Sequence, residues 1–135
     1  MSCKALARGS FDSPTVQAVA ANGQIQFANT ESTCEDVNFN GGDIVIRRPG
    51  TYLVEVNVTT VATAAGAEEI QLLRNGTAVP GAHAIETAAA VGNFTSMSFA
   101  TLISVPCCGT ASLAVRSIPA TSVRVANIVI AEQEV

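Results

Sequence analysis

Few residues of this chain could carry chemistry. His83 is its one histidine. A serine nucleophile would need such an imidazole as general base, yet no G-x-S-x-G elbow is present to raise the serine toward it. The setting Pro80-Gly81-Ala82-His83-Ala84 reads instead as a strand start or a loop. One imidazole also falls short of the several that a transition-metal site gathers. The sequence therefore predicts no catalytic residue, no cofactor and no enzyme.

The cysteines are Cys3, Cys34, Cys107 and Cys108. A zinc site calls for two spaced pairs, and only Cys107-Cys108 are close in sequence. Neighbours on a strand point to opposite faces, which would send one thiol to the core and the other to an interface. Three readings stay open: free thiols acting as small apolar residues, disulfides from Cys3 or Cys34 to the adjacent pair, and a metal site. The carboxylates Glu31, Glu35 and Asp36, with Asp43 beyond, have the oxygen chemistry calcium needs. They lack the regular spacing of a calcium loop, so a solvated loop and no metal are expected.

Arg47-Arg48, Arg74, Arg116 and Arg124 suit either docking of an acidic partner or the charge that guards strand edges. Asn57, Asn75 and Asn93 each open a glycosylation triplet, though Asn75 is accounted for as a turn residue.

The rest of the chain must position these residues, and its composition says how. At 135 residues it has the size of one domain. Hydrophobic residues make up 48% and charged residues 13%, with Trp absent. That leaves wide neutral surface, which favours subunit packing. A net charge of −4 offers no basic stripe for a nucleic acid. No run approaches the length of a membrane helix, and the first residues do not read as a secretory signal.

Turn residues recur at short intervals between segments of period-two alternation, the pattern of an all-β sandwich or barrel. Ile25 and Phe27 share a face after Asn22-Gly23. Asp43 to Arg47 follows Asn40-Gly41-Gly42, and Pro49-Gly50 makes the next corner. Tyr52, Val54, Val56 and Val58 oppose Glu55, Asn57 and Thr59. Asn75-Gly76 fits a type I′ hairpin. Met97, Phe99, Thr101, Ile103 and Val105 line one face of a long strand, and Leu113 and Val115 one face of the next. The small-residue runs 62–65 and 87–90 read as loops. The strand from Val123 to Ala131 is apolar on both sides, so both need cover: the core on one, a partner subunit on the other.

Three segments carry a resemblance: Gly50-Thr51-Tyr52-Leu53-Val54-Glu55-Val56, Leu72-Leu73-Arg74-Asn75-Gly76-Thr77-Ala78-Val79-Pro80-Gly81, and Val125-Ala126-Asn127-Ile128-Val129-Ile130-Ala131. They resemble the C1q/TNF-like jelly-roll superfamily over roughly residues 14 to 132. The nearest flavour is its bacterial and phage branch, which includes the C-terminal domains of spore-surface collagen-like proteins. The resemblance implies an antiparallel jelly-roll β-sandwich and a compact homotrimer, with the first and last strands near its three-fold axis.

The resulting expectations are specific. Ala126, Ile128, Val129 and Ile130 form the trimer interface. Residues 13–135 form the sandwich and residues 1–12 an arm, whose Lys4, Leu6 and Arg8 anchor the trimer to a repeating protein lattice. A phage capsid decoration or fibre component on a virion fits best. A bacterial surface or spore-coat domain, or a small module binding surface glycans, are the alternatives.

Overall fold

The computed structural model describes residues 6–13, 15–31, 36–40 and 43–134, and among these it has strands, turns and loops but no helix. In chain order the strands are β1 (Arg8–Ser13), β2 (Gln17–Val19), β3 (Asn29–Thr30), β4 (Val37–Asn40), β5 (Asp43–Ile46), β6 (Gly50–Ala62), β7 (Gly66–Arg74), β8 (Thr77–Ala88), β9 (Phe94–Val105), β10 (Ala111–Ser117) and β11 (Thr121–Glu132). They make two antiparallel sheets. The first runs β3-β1-β11-β6-β9, with β2 also paired to β11, and the second runs β4-β5-β10-β7-β8. This is the sandwich expected from the alternation, and the jelly roll that the resemblance implied.

Alternation places the core. Tyr52, Val54, Val56 and Val58 on β6 point inward, as do Met97, Ile103 and Val105 on β9. They meet Ile44 and Ile46 from β5, Ile70 and Leu72 from β7, and Leu113 and Val115 from β10. Full burial of each aliphatic side chain stabilises the fold by roughly 1.5–3 kcal/mol. Asn75 and Gly76 take φ of 51° and 84°, the two positive values a type I′ turn requires, and join β7 to β8.

Four expectations change. The segment from Arg8 to Ser13 is a strand of the first sheet, in register with β11 from Arg8–Ala131 to Ser13–Ala126. Phe11 is fully buried in the core, so the boundary drawn after residue 12 falls inside an integral strand. Ile25 and Phe27 do face the core, but from a loop whose one bridge is Gln24 to Arg116. His83 lies within β8, opposite Gln71. Cys107 and Cys108 lie in the turn between β9 and β10, both exposed, not on opposite faces of a strand.

Candidate functional site

The first sheet has one face in the core and one on the surface, and β11 runs through its middle. Ala126, Ile128 and Ile130 point inward and are completely buried within the single chain. Three of the four residues expected at an interface are therefore core residues, and Val129 alone of the four lies on the outer face. The physical reason is the irregularity between Val123 and Val125, where the register against β6 shifts. A bulge of this kind resets which side chains face out.

Across β11, β6 and β9 the outer face is a ladder of matched rungs: Ala131–Leu53–Leu102, Val129–Glu55–Ala100, Asn127–Asn57–Ser98 and Val125–Thr59–Ser96. Beyond them Val61 stands opposite Phe94. Leu102 is 61% exposed, Phe94 65% and Val125 52%. Glu55 is the one acid on the outer face of β6 and β9. Two cations flank the ladder: Arg8 stands opposite Ala131 on β1, and Arg124 has its guanidinium 5.7 Å from the Phe94 ring centroid. Asn57 Nδ2 donates to Asn127 Oδ1 at 3.1 Å, which fixes the polar middle rung. Asp12, next in line on β1, has a buried Oδ1 without a hydrogen-bond partner among the described residues. The small side chains of Ser96, Ser98 and Ala100 leave two shallow depressions of about 260 and 250 Å³.

Such a face can take up a complementary surface. It offers no nucleophile–base pair and no ligand set. Among the described residues no group of three or more His, Cys, Asp or Glu side chains could hold a metal ion. Of the acidic residues considered for calcium, Glu35 lies outside the described residues.

His83 Nδ1 is 3.6 Å from Glu69 Oε2 on the second sheet. Gln71 donates to the same Glu69 oxygen and accepts from Arg116. This is a network on a sheet surface, with no serine drawn into it.

Two polar clusters pin the sandwich and escaped sequence reading. Glu68 on β7 is 3% exposed and accepts from Thr60 Oγ1 at 3.1 Å and from the Thr121 hydroxyl. Because the Thr60 proton goes to Glu68, the short contact between Thr95 and Thr60 must run from Thr95 as donor. The relay joins β9, β6 and β11 to β7 of the facing sheet. At the opposite end, Glu132 Oε1 accepts from Ala7 N–H at 2.8 Å and lies 3.4 Å from Arg48 Nε. Tyr52 is buried beside it and donates to the Arg48 carbonyl at 2.7 Å. Burial first, and the Glu132 charge second, push the Tyr52 phenol up to about 12.

The arginines do not gather into one docking patch. Arg74 donates to the Ser104 carbonyl and Arg47 to Asn38, while Arg48 meets Glu132. Of the expected anchors, Lys4 lies outside the described residues. Leu6 is exposed just before β1, and Arg8 begins that strand.

No protein-family model and no curated protein sequence matches the chain. Solved structures do share its fold. A TNF, Eiger, from S. frugiperda superposes with a TM-score of 0.74 at 14% identity, covering 96% of this chain and 92% of that one. Murine APRIL at pH 5.0 gives 0.71 at 10% identity over 96% and 100%. The globular domain of zebrafish complement 1qA gives 0.70 at 10% identity over 92% and 94%. The fold is thus the C1q/TNF-like jelly roll.

Proposed function

We propose that this chain is a non-enzymatic interaction module that assembles as a homotrimer through the outer face of β11, β6 and β9. The observation that carries the reading is that face itself, with Leu102, Phe94 and Val125 open to solvent around a nearly uncharged ladder. Exposed apolar surface of this extent, joined to a polar register rung, suits a subunit contact. The kinship of fold with C1q and TNF domains supports the same stoichiometry. The interface residues then become Leu53, Phe94, Leu102, Val125 and Val129, with Asn57 and Asn127 setting register.

The trimer's role in this proposal is display on a repeating lattice, as a phage capsid decoration or fibre protein. Low charge suits broad packing contacts, and three copies acting together gain avidity from individually weak contacts. Light scattering on the purified chain tests the assembly, and a monomer at micromolar concentration would sink it. Cosedimentation with purified capsids tests the display. Because β1 is part of the sandwich, the anchor deletion must stop before Ala7. Loss of cosedimentation on removing residues 1–6, with the trimer retained, supports an N-terminal anchor; unchanged binding rejects it.

A further inference from the structure

The turn that joins β9 to β10 at Pro106–Gly109 has no part in the reading above. Gly109 N–H donates to the Pro106 carbonyl at 3.0 Å, so Cys107 and Cys108 are the two central residues of a closed turn. Both side chains are exposed, and their sulfurs are 3.6 Å apart. Cys108 has φ of +68°. The other described residues with positive φ are Asn22, Asn75 and glycines, the types that tolerate it. A cysteine there is strained, and strain of this kind points to a demand on the side chain rather than on the turn. The strained backbone brings a second thiol beside the first.

We propose that Cys107 and Cys108 form a redox-responsive dithiol that closes to a vicinal disulfide by exchange with a low-molecular-weight disulfide such as oxidised glutathione. In the first step one thiolate attacks a sulfur of that disulfide, breaks its S–S bond and expels one thiolate, which takes up a proton. The mixed disulfide is resolved when the neighbouring thiolate attacks the protein sulfur and releases the second small thiol. Two protein thiols thereby lose two protons and two electrons, and the small disulfide gains them as two thiols. The resolving sulfur is already in place, so the second step has little distance to close.

A metal is the weaker occupant of this site. Closed thiolate sites use four ligands, and no third His, Cys, Asp or Glu joins the pair among the described residues. The closed ring is also easily reopened. Adjacent Cα atoms are about 3.8 Å apart, short of the roughly 4.4–6.8 Å that relaxed disulfides span. Strained disulfides are the labile ones. The site therefore responds to its surroundings instead of stapling the fold.

The test uses the full chain, reduced, desalted and exposed to oxidised glutathione, with intact-mass and peptide analysis. The expected product has lost two hydrogen atoms at the pair, carries no glutathione on Cys107 or Cys108, links the two to each other and reverts with excess reduced glutathione. In a Cys3→Ser/Cys34→Ser background, adding Cys107→Ser or Cys108→Ser should leave the reaction at the mixed disulfide. A lasting glutathione adduct on Cys107 or Cys108 of the full chain, a link from either residue to Cys3 or Cys34, or no reaction at the pair would each overturn the proposal. Cys108→Gly checks the strain argument separately. It should raise the melting temperature of the reduced protein while abolishing closure, and a lower melting temperature refutes the claim that the turn is strained to hold a thiol.

Discussion

A paired carboxylate scan divides the two faces of the first sheet. Ile128→Asp and Leu102→Asp both replace an aliphatic residue by an acid, one on the inner face and one on the outer. Ile128 is completely buried in the single chain. Removing its side chain to alanine alone would cost about 2–5 kcal/mol, and an unpaired buried carboxylate adds several more. The total rivals the roughly 5–15 kcal/mol that holds a domain together, so Ile128→Asp should not fold.

Leu102 is 61% exposed, so its replacement in an isolated chain should shift stability by only about 0.5 kcal/mol. If three copies cover it, full burial of a leucine at roughly 1.5–3 kcal/mol leaves about 1–2 kcal/mol per chain to be gained on assembly. An aspartate forfeits that gain and must also be dehydrated, once in each of three chains. Circular dichroism should therefore show a native-like sandwich for Leu102→Asp, and light scattering should show a monomer. A trimeric Leu102→Asp refutes the assignment of the interface to this face. A folded Ile128→Asp refutes the assignment of the core.

Removing the buried acceptor with Glu68→Ala leaves the Thr95–Thr60 relay and Thr121 without an end point, and should cost on the order of 2–4 kcal/mol in urea denaturation; Glu68→Gln, which keeps an acceptor, should cost less. Tyr52 is the one tyrosine and Trp is absent, so phenolate absorbance reports it alone, with a midpoint near 12 in the folded protein. Its unfolded value is near 10, so the associated stability is complete below about pH 10 and falls away by roughly 2 kcal/mol as pH rises to 12. Tyr52→Phe should remove that fall, as read by melting at stepped pH. Deleting residues 1–12 should unfold the protein by stripping β1, and Phe11→Ala alone should cost about 3–5 kcal/mol in chemical denaturation.

What was legible in the sequence was whatever alternates. β6, β9 and β10 keep their inward residues two apart with mostly polar or small residues between, Leu53 and Leu102 being among the bulky exceptions on the outer face, so their inner faces could be read directly. The hairpin at Asn75-Gly76 rests on local backbone chemistry and needed no tertiary context. β1 was illegible because Arg8 to Ser13 has one bulky apolar residue, Phe11, and owes its place to pairing with β11 far along the chain. β8 was missed for another reason: it is an edge strand, largely exposed, and interrupted by Pro80-Gly81. On β11, composition showed that both faces are apolar but not which residues face inward, since that depends on a register shift no local pattern marks. The relay from Thr95 to Glu68 draws its members from four strands, and each looks like an ordinary surface residue in sequence.

The position of β11 also bears on the order in which the molecule can form. It is hydrogen-bonded to β1 on one side and β6 on the other, yet it is synthesised after both. While the ribosome is still adding residues before Thr121, the first sheet exists as two fragments with a strand-wide gap between them. The edges of β1 and β6 that border the gap are open to any extended chain nearby. Folding must therefore wait for the C-terminal strand and then close contacts more than a hundred residues apart, as at Arg8–Ala131. Such long-range pairing is slow, and exposed edges invite wrong partners meanwhile. A nascent chain stalled before Thr121 should bind chaperones and be cut readily by protease, and twelve further residues should turn it into a closed sandwich.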